Sequence, residues 1–81
     1  MQVYNRLQLI RIEKGLSRQD VADAVGVNPQ TIGFIERGDY SPSLELAFKL
    51  AEFLEVDLGI IFSIKPFVSL FTQQRRSSNE N

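Results

Sequence analysis

One stretch limits the fold of this 81-residue chain more than any other: Arg18 to Arg37, RQDVADAVGVNPQTIGFIER. Val21 and Val25 are four apart and share one face of a helix; Ile32 and Ile35 are three apart and share one face of a second. Between them Gly26 can take the positive φ that ends a helix, and Val27 follows to plug the corner. Ala22 is small where the second helix must cross close by. The stretch reads as two short amphipathic helices folded over a glycine.

That spacing suits a helix-turn-helix. Geometry alone does not make it a DNA reader, so the rest of the chain has to decide. With no cysteine and no histidine, a disulfide framework, a thiolate metal site and the usual nucleophile, base and metal ligands are all excluded. No enzyme, no cofactor, no metal and no small-molecule ligand is expected. No apolar run approaches the ~20 residues that span a bilayer, and the N-terminus does not resemble a signal peptide. The expectation is a cytoplasmic protein that does not engage a membrane. Charge argues the other way from DNA binding: nine Lys and Arg against ten Asp and Glu give a net −1, where a basic face is the usual footprint. Between Ser17 and Pro42, Arg18 and Arg37 face Asp20, Asp23, Glu36 and Asp39.

Five helices are expected. Asn5 caps the first, which runs to about Lys14 and stops at Gly15, with Leu7, Ile10 and Arg11 inward and Leu9 and Ile12 on a second apolar flank. Ser17 and Asp20 form a capping box for the second, so Asp20 belongs to its first turn. Asn28 and Pro29 open the third, which ends near Arg37 before Gly38. Ser43 caps a fourth over Leu44 to Leu54, apolar nearly all round and therefore central to the core. Asp57 caps a short fifth containing Leu58 to Phe62. Val3 and Tyr4 suit a strand, and Pro66 permits an edge strand or a bend in SIKPFVSLF. The reading is one domain over 1–71, with its helix-turn-helix at 18–37 and an apolar segment at 62–71. A polar tail, 72–81, is expected to be unstructured.

With these elements in place the chain resembles the Cro/C1-type (XRE) family of helix-turn-helix regulators. The likeness runs from about Leu7 to Phe62 and is carried by RIEKGLSRQDVA, G-V-N-P-Q-T-I, I-E-R-G and Y-S-P-S-L-E-L-A in order. It implies an all-α, five-helix, lambda-repressor-like domain, with short terminal strands at a dimer interface as in some small stand-alone members. It also implies an ion pair between Arg11 and Glu36, a guanidinium fork locking the first helix to the third. Glu36 would then repel phosphate less than the raw charge count suggests.

In such a fold the start of the third helix enters the major groove and the second lies across the backbone. Gln30 is the best candidate for base readout, because its amide matches the N6/N7 edge of adenine in a bidentate pair worth ~1–3 kcal/mol of discrimination; the alternative is a solvated helix residue. Pro29, Thr31 and Phe34 stand beside it. Pro29 and Phe34 offer only apolar contact, and Phe34 can equally pack at the helix edge. Gly33 costs ~1 kcal/mol of helix propensity relative to Ala and allows close approach. Arg18, at the position where the family clamps the backbone, is the leading phosphate contact, since nothing in its local sequence requires a charge. Asn28, Arg37, Tyr40 and Ser41 are further candidates, with Asn28 also explained by capping and Tyr40 by covering the core.

A single unit makes a small interface, and regulators of this type bind two half-sites about 34 Å apart. A homodimer is therefore expected, through Ile64, Phe67, Val68, Leu70 and Phe71, with Gln2 to Tyr4 as a pairing strand and Leu9 and Ile12 under the same layer. The alternative is that this segment folds back over its own helices. The function expected is a sequence-specific regulator of double-stranded DNA, a repressor on a palindromic operator. The acidic balance favours a second class, a protein-interaction module such as an antitoxin or repressor antagonist.

Overall fold

The computed structural model describes residues 1–67. Among them the order is β1 (Tyr4–Asn5), α1 (Leu7–Glu13), α2 (Arg18–Val25), α3 (Pro29–Glu36), α4 (Leu44–Leu54), α5 (Leu58–Ile61) and β2 (Phe62–Ser63). Five helices enclose one core in which Leu7, Val21, Ala22, Ile32, Leu50, Leu54 and Ile61 are fully buried. Val27 is half-buried against it, at the corner between α2 and α3.

That corner follows from the sequence. Gly26 sits at φ 79°, and the Gly26 and Val27 N–H groups both donate to the Ala22 carbonyl, at 2.8 and 3.0 Å. Carbonyls at the end of α2 are thereby satisfied while the chain turns sharply. Val21, Ala22 and Val25 of α2 and Ile32 and Ile35 of α3 are then the buried apolar residues of the two helices.

Several local expectations are corrected. Asn5 does not cap α1 as its N-cap residue; Arg6 holds that position, and Asn5 acts from one residue earlier, accepting from the Leu7 N–H at 3.0 Å. Its amide also donates to the Ile35 carbonyl at 2.8 Å, tying the N-terminus to α3. Asn28 and Asp57 occupy N-cap positions, but neither side chain makes a capping hydrogen bond. Ser17 and Ser43 do cap, receiving the Asp20 and Leu46 N–H groups at 2.9 and 3.1 Å. The fourth helix is less enclosed than its composition suggests: Leu44 and Phe48 are more than half exposed, because the core touches only the Leu46, Ala47, Leu50, Ala51 and Leu54 stripe. The turn after α4 places Glu55 at φ 59°, where a glycine would be expected.

The terminal strands pair with each other inside one chain. Tyr4 faces Ser63 and Asn5 faces Phe62 in an antiparallel register. Phe62 thus leaves the fifth helix early, and the strand lies before the Ile64–Lys65 bend rather than after it. Ile64 is exposed, while Phe67 is half-buried with the Arg6 guanidinium 4.3 Å from its ring centre. Val68, Leu70 and Phe71, and the tail expected at 72–81, lie outside the described residues.

Candidate nucleic-acid interface

The interface begins with the way α2 starts. Ser17 accepts from the Asp20 N–H, and the Asp20 carboxylate accepts from the Ser17 N–H at 2.8 Å. The Ser17 backbone N–H, with its hydroxyl second, holds the Asp20 carboxyl below its ordinary value. This box fixes Arg18 at the first position of α2, beside the middle of α3.

Glu36, at the end of α3, has a side chain only 1% exposed and accepts from two arginines. Arg11 donates Nε to its Oε2 at 2.6 Å and Nη2 to its Oε1 at 3.3 Å, and gives Nη1 to the Leu16 carbonyl at 2.9 Å. Arg18 donates Nε to the same Oε1 at 3.0 Å. One carboxylate therefore joins α1, α2 and α3, and no buried side-chain polar atom among the described residues lacks a partner.

Gly33 lies under these charges. A Cβ at this position would stand 3.3 Å from Arg37 Nη1 and 3.6 Å from Arg18 Cζ. Arg37 in turn donates Nε to Asp39 at 3.3 Å and lies over Phe34, 5.1 Å from its ring centre. Arg18, Pro29, Gln30, Gly33, Phe34 and Arg37 line one shallow cleft of about 300 Å³. Gln30 is exposed and Phe34 is 45% exposed, so both face out of the fold.

The structure gathers Arg18, Pro29, Gln30, Phe34 and Arg37 around this cleft and leaves the other expected contacts outside its lining. Thr31 is half-buried one residue beyond Gln30, and Asn28 is exposed at the mouth of α3, its side chain making no capping hydrogen bond. Tyr40 and Ser41 line a different crevice, with Val3, Asn5 and Phe62. Tyr40 is 48% exposed, its covered half lying in the crevice that Ile35 also lines. One feature escaped the sequence reading: the bond from Arg18 to Glu36, which supplies the structural reason for its charge that local sequence did not. The close approach expected at Gly33 is made by the Arg18 and Arg37 side chains.

Among the described residues no helix is long and apolar enough to cross a membrane. The helix-turn-helix family HTH_3, of Cro/C1 type, matches residues 7–61. An uncharacterised HTH-type transcriptional regulator of Methanocaldococcus jannaschii is 47% identical over 58 residues, covering 72% of this chain and 88% of that protein. The cryptic phage CTXphi transcriptional repressor RstR of Vibrio cholerae is 34% identical over 59 residues, 73% of this chain and 53% of RstR. Among solved structures, the restriction-modification controller protein C.AhdI from Aeromonas hydrophila superposes with a TM-score of 0.61 at 35% identity, covering 64% of this chain and 79% of that one. The match of family, relatives and five-helix architecture shows that the chain belongs to the HTH_3 helix-turn-helix family and is a transcriptional regulator with a helix-turn-helix DNA-binding domain.

Proposed function

We propose that this regulator binds double-stranded DNA sequence-specifically, as a homodimer on a palindromic operator, and represses by occupying it. The observation that carries this reading is the exposed side of α3: Gln30, its side chain free of hydrogen bonds among the described residues, lines one cleft with Arg18, Pro29, Phe34 and Arg37. Gln30 reads an adenine edge in the major groove, while Pro29, Thr31 and Phe34 contribute apolar and hydroxyl contacts to neighbouring bases. Arg18, Asn28, Arg37, Tyr40 and Ser41 position the unit on phosphates. Asn28 is better suited to this than a capping residue would be, because its side chain makes no capping hydrogen bond.

Repression is supported by the likeness to RstR, a phage repressor by name, and a controlling role by the likeness to C.AhdI. Dimerisation is supported by the small contact surface of one unit and by exposed apolar groups at the C-terminal end, Ile60 and Ile64. Ile64, Phe67, Val68, Leu70 and Phe71 form the proposed interface, and the cytoplasm is the proposed compartment. The test is a titration of labelled duplex pools at several salt concentrations. Competitor-resistant binding that weakens steeply with salt is expected. Failure of every duplex to compete above background at low salt would overturn the reading.

One observation favours a second class. Phe48, Val56, Leu58 and Ile60 line an open groove of about 730 Å³ whose rim carries Glu52, Glu55 and Asp57. An acidic-rimmed apolar groove suits a protein partner, as in an antitoxin or antagonist. That reading gains if the duplex titration fails.

A further inference from the structure

We propose that Arg18 and Arg37 act as one clamp on a single DNA phosphate, and that Gly33 is the residue that allows them to converge. The inference rests on the DNA-binding reading above and adds to it which two groups share a ligand and what positions them.

Three observations carry it. The two guanidinium groups come within 4 Å of one point, the place where a Cβ of residue 33 would stand. Two like charges gathered so closely repel one another, and the fold answers by setting a different carboxylate beside each, the one beside Arg18 being shared with Arg11. Arg18 is held by Glu36 and Arg37 by Asp39, in both cases through Nε. Among the described residues the terminal nitrogens of both make no hydrogen bond, so each fork keeps its outer donors for a ligand. The third observation is the glycine itself. It sits inside α3 with no positive φ, where Ala would be a better helix former. Any larger side chain at this position would enter the cleft between the guanidinium groups.

A phosphate diester suits this arrangement. It carries one negative charge and two free oxygens, each able to accept a short charge-assisted bond from a separate guanidinium. The cleft also opens beside Gln30 and Phe34, so an anion there would lie next to the bases that the start of α3 reads. The acids that make this segment look unsuited to DNA thus have a positional role: Glu36 and Asp39 hold the arginines by their inner nitrogens.

The test measures duplex affinity and its salt dependence for Arg18→Ala, Arg37→Ala, the double variant, Gly33→Ala and Gly33→Leu, with thermal unfolding for each. One shared phosphate per half-site predicts that the double variant lowers the slope of log affinity against log salt by about 0.9 per protomer, about 1.8 for a dimer on its full site, and that the two single losses are not additive. Two separate phosphates per half-site predict a fall of about 1.8 per protomer, about 3.6 for the dimer, with additive losses, which would overturn the clamp. Gly33→Leu keeps both arginines in the chain and the Arg11–Glu36 pair in place, and its unfolding curve separates lost positioning from lost folding. While still folded at the assay temperature, it is expected to bind about tenfold or more weakly, the scale of losing hydrogen bonds to a charged group. Gly33→Ala asks Arg37 to move by a few tenths of an ångström and is expected to bind between the parent chain and Gly33→Leu. Parent-like binding by Gly33→Leu would refute the positioning role. A change of preferred base in either arginine variant, in place of uniform weakening, would assign the guanidinium to guanine and refute the phosphate. If the parent chain itself binds no duplex, the DNA reading fails and takes the clamp with it.

Discussion

At the scale of single residues, Glu36 decides more than any other side chain. Its carboxylate is almost fully buried and meets Arg11, itself buried, and Arg18 at once. Removing one partner of such a pair leaves a buried charge uncompensated, which costs about 3–5 kcal/mol. Glu36→Ala is therefore expected to lower the free energy of unfolding by an amount in that range, measured by urea denaturation; a loss below about 1 kcal/mol, typical of exposed pairs, would show that the network is superficial. Asp20 gives a pH signature. Its carboxyl ionises more readily in the folded chain than its ordinary value of 3.8. Its stabilising effect is complete above that value and fades as pH falls through the lower folded one. Thermal unfolding of the parent chain and of Asp20→Asn should then converge as the solution is acidified below about pH 4. A gap that stays constant with pH would argue that the box stabilises by geometry and not by charge.

At the scale of elements, the helices were legible wherever apolar spacing and end signals agreed. The α2–Gly26–α3 corner and the span of α4 could be read because each rests on local chemistry: a capping serine, a glycine able to take positive φ, and apolar residues at helical spacing. Capping by Asn28 was not legible in the same way. The residue type allows a cap, but Pro29 follows it and the side chain makes no bond to the helix. A contrast of variants checks this. Ser17→Ala is expected to cost about 1 kcal/mol, whereas Asn28→Ala should leave stability within a few tenths and weaken DNA binding instead. Equal destabilisation by the two would place the Asn28 side chain on the helix end. Gly33 was read as permitting a close approach without its partners being named. Of its neighbours, Arg37 stands one helical turn on, its N–H bonded to the Gly33 carbonyl at 3.1 Å, while Arg18 comes from an adjoining helix and only tertiary packing brings it there. The strand pairing was hidden for that second reason: Asn5 and Phe62 are far apart in sequence and meet only in the folded chain.

At the scale of the molecule, the described residues share one core, and the proposed function sets DNA against one face and a second protomer against another. The core uses the inner stripes of all five helices, and it leaves Leu9, Ile12, Leu44, Phe48, Ile60 and Ile64 at the surface. A net charge of −1 gives little general attraction to DNA, so affinity has to come from a few well-placed groups and from the pairing of two units. The central claim is that α3 reads bases through Gln30 in each half of a dimer. Its most direct test is selection of bound sites from a random duplex pool, carried out in parallel with the parent chain and with Gln30→Ala. The parent chain is expected to enrich a two-fold-symmetric site with half-sites about 34 Å apart. Gln30→Ala is expected to lose preference at one base position in each half-site while retaining the spacing. An identical preference from both chains, or no enriched sequence from the parent, would contradict the account.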